Sequence, residues 1–124
     1  DAEAQRAALR DDTAAALHNP DSDLDAVTDF RLEAVGEAHG YINASTAMAA
    51  LVDSRLTPEL ARIAPDTEVA VVGADHDTFC PKKAADIILG AVEHATYHEI
   101  TGAGHLMLVD QPERSIDLLR RLLP

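Results

Sequence analysis

Two short stretches hold the side chains able to do chemistry. In "VAVVGADHDTFCP", residues 69–81, an apolar run stops at Gly73 and is followed by Asp75, His76 and Asp77, with Cys80 just behind them. In "GAGH", residues 102–105, a glycine-rich turn ends in His105. Asp77 and His105 are separated by 28 residues, one helix plus one strand, which is what a single crossover between adjacent parallel strands takes. A carboxylate and an imidazole placed this way form the orienting half of a nucleophilic triad. The acid accepts from one ring nitrogen, fixes the tautomer and stabilises the imidazolium. Asp75 is the rival for the acid role. Cys80, the single cysteine, lies in the acid's own loop rather than on a strand-to-helix elbow, and reads as a buried small hydrophobe rather than a nucleophile. His94, His98 and His105 with Asp75 are zinc-binding types, but they belong to a helix end, a strand and a loop rather than one ligand face. No metal and no cofactor is expected. His76, between two acids, reads as a solvated loop residue.

The elements that position these groups follow from periodicity. "EVAVVG" at 68–73 is strand-like and continuously apolar, "PKKAADIILGAVEH" at 81–94 is helical, "TYHEIT" at 96–101 is a short strand, and "QPERSIDLLRRLLP" at 111–124 is an amphipathic helix with Pro112 near its start. Strand, helix, strand, helix implies parallel α/β architecture, in which functional side chains gather at the carboxyl ends of the strands. A strand apolar on both faces belongs inside a sheet covered on both sides by helices. Two strands cannot make that sheet, so neighbouring strands are expected from elsewhere.

Residues 1–64 read as helices separated by turns. "EAQRAALRDDTAAALH" is helical by propensity and "NPDS" at 19–22 stops it. Ser22 followed by Asp25 resembles a capping box, and Leu24, Val27, Phe30 or Arg31, Ala34, Val35 and Ala38 then recur at helical spacing until Gly40. "INASTAMAALVDS" at 42–54 gives a third helix, and Thr57 with Pro58 opens a short fourth, "PELARIA". His18 and His39 close the first two helices, where an imidazolium suits the negative dipole end. The best boundary is "APDTE" at 64–68.

Composition narrows the function classes. The chain has 124 residues, 47% of them apolar, with two Phe, two Tyr and no Trp. Twenty-two acidic against ten basic residues give a net charge of −12, which repels phosphate backbones and anionic lipid surfaces and argues against nucleic acid or a membrane as partner. One cysteine excludes an internal disulfide. No apolar stretch approaches the roughly 18 residues of a membrane helix, and the opening "DAEAQRAALRDD" lacks the regions of a signal peptide, so a soluble, cytoplasmic protein is expected. Asp1 in place of Met implies a boundary made by cleavage or truncation, and it excludes an N-terminal Ser, Thr or Cys nucleophile.

The segment from "VAVVGADHDTFCP" through "KKAADIILGAV" to "YHEITGAGHLMLVDQPERSIDLLRRLL" resembles the C-terminal part of the α/β-hydrolase family. In that family a strand ends in Gly, a few residues and the catalytic Asp, with Pro four residues past it, and a later strand ends in a Gly-x-Gly-His turn before a Gln-Pro-Glu helix. Asp77, Pro81, His105 and "QPE" at 111–113 match. The resemblance covers about residues 65–124 and implies that Asp77 is the catalytic acid, His105 the base, and residues 1–64 a variable helical cap. The family's nucleophile stands in Gly-x-Ser-x-Gly. No such motif occurs here, and Ser22, Ser45, Ser54 and Ser115 are not bracketed by glycines.

The resemblance therefore implies the acid and base of a hydrolase without its nucleophile. The expected fold is α/β, the C-terminal portion of an α/β-hydrolase core at 65–124 preceded by cap helices at 1–64. The expected activity is hydrolysis or acyl transfer on an ester, thioester or amide. A serine and oxyanion hole would come from an N-terminal segment, as a separate chain or a cleaved half. Met48, Leu51 and Val52 on the third helix are either cap core or the lining of an acyl pocket. Leu106 and Met107 either contact substrate or pack the turn after His105. Two other readings keep the scaffold: dehalogenase, epoxide hydrolase or cofactor-free oxygen chemistry, and a non-catalytic interaction module.

Overall fold

The computed structural model describes residues 2–35, 46–47 and 57–123. Two helices, α1 (Ala2–Ala16) and α2 (Leu24–Val35), pair first. A four-residue helix α3 (Thr57–Leu60) leads to β1 (Ala70–Ala74), α4 (Lys82–Ala91), β2 (Thr96–Ile100), a short α5 (Met107–Asp110) and α6 (Pro112–Leu122). β1 and β2 are parallel, with Ala70 opposite Thr96 and Ala74 opposite Ile100, and α4 makes the crossover between them. Both carboxyl ends therefore finish side by side.

The core sits under these two strand ends. Ala74, Ile100, Ala103 and Leu118 are buried together, with Val72, Met107 and Leu122 against them. α6 reaches this cluster because Ser115, Leu118 and Leu122 fall at three- and four-residue spacing on one face. Pro112 occupies its first turn, where its missing N–H costs nothing, and Arg120 and Arg121 occupy the last turn, where positive charge suits the dipole. Val71 and Val72 are only half-buried, not enclosed on both faces as the continuous apolar run predicts. Among the described residues the sheet has two strands, too few to cover them.

α1 and α2 meet through polar groups more than through apolar ones. Leu9, Thr13, Ala16 and Thr28 are buried. Around them Arg6 pairs with Asp29 at 2.9 Å, Arg10 with Asp25 at 3.0 Å and Arg31 with Asp12 at 2.7 Å. Such exposed pairs contribute only about 0–1 kcal/mol each.

Several boundaries depart from periodicity. The box of Ser22 and Asp25 does not form: Asp23 Oδ1 caps α2 by accepting from the Ala26 N–H at 3.0 Å, and Asp25 faces arginines. The Ser22 hydroxyl instead donates to the buried Asp110 at 2.9 Å, because a charged acceptor outcompetes a local backbone one. α3 stops at Leu60 and the chain tightens into turns, with Arg62 N donating to Glu59 O and Ile63 N to Leu60 O; Pro65 disfavours helical backbone at Ala64. α4 ends three residues before the expected His94, where Val92 turns extended. His39, Gly40, Met48, Leu51 and Val52 lie outside the described residues, as does all of the third predicted helix except Thr46 and Ala47. Among the described residues no helix is long and apolar enough to cross a membrane.

Candidate active site

The two loops leaving β1 and β2 are laced together by backbone and by Asp75. His76 N donates to Ala103 O at 3.0 Å, and Asp75 Oδ1 accepts from the N–H groups of Gly102 (2.7 Å) and Ala103 (3.2 Å). Burial pushes the Asp75 carboxyl up, but these N–H donors and His76 outweigh it and hold the group below the usual carboxylate range. Asp75 is thus committed to joining the loops.

Asp77 is placed differently. It is 7% exposed, and its Oδ1 accepts from the N–H groups of Phe79 (2.9 Å) and Cys80 (2.8 Å). Those two bonds aim Oδ2 at His105 Nδ1, 3.0 Å away. Burial again works to raise the carboxyl. The Cys80 N–H, the His105 ring and the Phe79 N–H prevail and hold it below the ordinary range. Asp77 is an anion, buried and fixed. The His105 side chain is 41% exposed, and the Phe79 ring lies over it at 5.2 Å between centroids. The acid and base expected from sequence are brought together.

The two glycines before His105 are required for different reasons. Gly102 has φ +77°, in the left-handed region, and its carbonyl accepts from Gln111 Nε2 at 3.0 Å. A Cβ on Gly104 would stand 2.6 Å from the backbone oxygen of Ala16 and 3.2 Å from His18 N. The end of α1 therefore rests directly on the histidine loop. Leu106 N donates to the same Ala16 oxygen at 3.1 Å.

Asp110 is the residue that the sequence reading missed. It is 1% exposed and accepts from Gly104 N and His18 N at 2.7 Å each, from Asn19 N at 3.1 Å and from Ser22 Oγ at 2.9 Å. One carboxylate thus ties the α1–α2 connection to the residue preceding His105. The available signal was a lone acid closing the apolar run "HLMLVD".

Other candidates resolve individually. Cys80 is exposed, not a buried small hydrophobe; its loop is turned outward by the two bonds to Asp77. His76 is half-exposed but stacks on His18, rings 3.5 Å apart and 7° from parallel. His94 Nε2 lies 2.9 Å from Thr67 O and His98 Nε2 3.1 Å from Thr96 Oγ1, so neither turns toward His105. Leu106 and Met107 line an open apolar groove of about 570 Å³ that also includes Phe30, Val109 and His105. A buried carboxylate bonded to a half-exposed imidazole can orient and stabilise a general base.

No protein-family model matches the sequence. No curated protein matches it. Among solved structures, the chain is similar to the 2-hydroxy-6-oxo-6-phenylhexa-2,4-dienoate hydrolase from Rhodococcus sp. strain RHA1, an α/β-hydrolase, with a TM-score of 0.70 and 13% identity over 94% of this chain. The scaffold is α/β-hydrolase-like. The chain spans 43% of that structure's length. On this hydrolase-like scaffold the described elements run through strand, acid loop, helix, strand and histidine loop in the expected order.

Proposed function

We propose that the chain supplies the acid and base of a Ser-His-Asp triad that hydrolyses an ester, thioester or amide, with the serine carried on an N-terminal partner segment. The observation that carries this reading is the 3.0 Å contact between the buried Asp77 Oδ2 and His105 Nδ1. The serine hydroxyl attacks the substrate carbonyl as the other ring nitrogen of His105 takes its proton, and His105 then returns that proton to the leaving group. Asp77 keeps Nδ1 protonated and stabilises the imidazolium. Water repeats the sequence on the acyl-enzyme. Such a base contributes roughly 10²–10⁴ in rate.

The groove beside His105, with Leu106 and Met107 in its wall, suits an apolar acyl group. The similar hydrolase is named for a substrate whose oxo group adjoins a phenyl ring, so one end of that molecule is an apolar carbonyl group. In this reading α1 and α2 belong to a lid, and their connection is anchored beside the site through Asp110. The test is fluorophosphonate labelling of the full-length protein with its partner segment. A single labelled serine on that segment, with labelling lost in His105→Ala, is expected. Absence of any labelled serine, or labelling indifferent to His105→Ala, overturns the reading.

A further inference from the structure

The hydrolytic reading leaves one exposed thiol, that of Cys80, unused. The Cys80 sulfur, a ring nitrogen of His105 and a carboxylate oxygen of Asp77 lie within 4.8 Å of one another. A tetrahedral zinc ion bonds sulfur at about 2.3 Å and nitrogen or oxygen at about 2.0–2.2 Å, which sets its ligand atoms roughly 3.2–3.7 Å apart. Reaching that spacing from within 4.8 Å calls for the exposed Cys80 side chain to swing inward and the Asp77–His105 pair to part slightly. Asp77 and His105 stand 3.0 Å apart.

The site is built rather than accidental in two respects. The Cys80 N–H is itself bonded to Asp77 Oδ1, so the backbone that carries the thiol is fixed against the carboxylate. The donor types, one thiolate, one imidazole and one carboxylate, are those that borderline-soft divalent ions prefer over magnesium or calcium. Access is open, because Cys80 is exposed and His105 half-exposed. The net charge of −12 raises the local concentration of cations.

We propose that Asp77, Cys80 and His105 bind a zinc-type divalent ion, and that the bound ion switches off the acid–base pair. On binding, Cys80 loses its thiol proton to solvent, Asp77 binds as the anion it already is, and the ion takes the place of the proton between His105 Nδ1 and Asp77 Oδ2. The imidazole stays neutral, its hydrogen moving from Nδ1 to Nε2. A ring with Nε2 protonated cannot accept a proton from a nucleophile. Binding stands on this chain's residues alone; only the inhibition rests on the proposed hydrolytic role.

Titration calorimetry of the full-length, chelator-treated protein with zinc, run in two buffers of different ionisation enthalpy, tests the site. One ion bound with release of one proton is expected. Cobalt(II) should give a thiolate-to-metal charge-transfer band in the near ultraviolet. Cys80→Ser and Cys80→Ala should each lose that band and weaken zinc binding at least about tenfold, while melting unchanged and keeping metal-free esterase activity. Zinc should inhibit the wild type far more than either variant. Equal zinc affinity in wild type and Cys80→Ser, no binding at all, or a cobalt complex without the thiolate band overturns the proposal. Absence of any labelled serine in the metal-free protein, with these binding results intact, would overturn the hydrolytic reading and the inhibition but leave the metal site standing.

Discussion

Asp75 and Asp77 are two residues apart and do different work, which makes them separable by substitution. Asp77→Asn keeps the shape of the side chain but lets the imidazole turn to the wrong tautomer. Turnover on a good ester should fall by about 10³–10⁴ with circular dichroism unchanged; a rate near wild type would move the acid role elsewhere. Both carboxyls are held below their usual range in the fold, so their contribution is fully present above the unfolded value of about 3.9 and is lost as pH falls through the lower folded value. Melting temperature should therefore fall as pH drops below about 4, and Asp77→Asn should lessen that fall when melts are recorded from pH 3 to 6. The sequence singles out Asp77 over Asp75 through Pro81, four residues past Asp77, and Asp77 is the one of the two that bonds His105. The exposure of Cys80 was not legible there. Small hydrophobes tend to be buried, and only the two N–H bonds inside the loop reveal which way the chain turns there.

Among the elements, the strand–helix–strand–helix order was legible because an unbroken apolar run, a short strand-like stretch and two segments of 3.6-residue period follow one another in 68–124. The tie between α1 and the histidine loop was not, because it rests on a four-residue helix with no period and on a carboxylate 88–92 residues from its partners on the α1–α2 connection. Two substitutions examine that tie. Gly104→Ala would push a methyl into the Ala16 carbonyl, backbone against backbone, so one of them must move. A loss of about 1–3 kcal/mol by denaturant melting, with His105 displaced and activity reduced, is expected. Asp110→Ala leaves the N–H groups of His18, Asn19 and Gly104 and the Ser22 hydroxyl without their shared acceptor. It should cost about 3–5 kcal/mol. Stability within about 0.5 kcal/mol of wild type in either variant would show that the α1–α2 pair does not lean on this loop.

At the scale of the whole molecule the question is whether residues 1–124 enclose enough apolar surface. The buried apolar residues among those described are Leu9, Ala16, Ala74, Ala85, Val92, Ile100, Ala103 and Leu118, half of them alanines. Phe30 is 71% exposed, and Ile87, Leu108, Ile116, Leu119 and Leu123 are exposed as well. Burying a side chain of that size contributes roughly 1.5–3 kcal/mol, and a domain's entire net stability is about 5–15 kcal/mol. Leaving so many in water uses up that margin. The described part of β1 pairs only with β2, and Val71 and Val72 beside its other edge are half-buried. An unpaired edge of this kind recruits other chains. Residues 1–124 prepared alone should therefore be aggregated or molten, and should become soluble and cooperatively folded when an N-terminal segment lies beside β1. Size-exclusion chromatography and thermal melting of the chain with and without that segment decide the matter. A monomer with a sharp transition in the isolated chain would show that it closes its own core, and the need for a partner segment would fall with it.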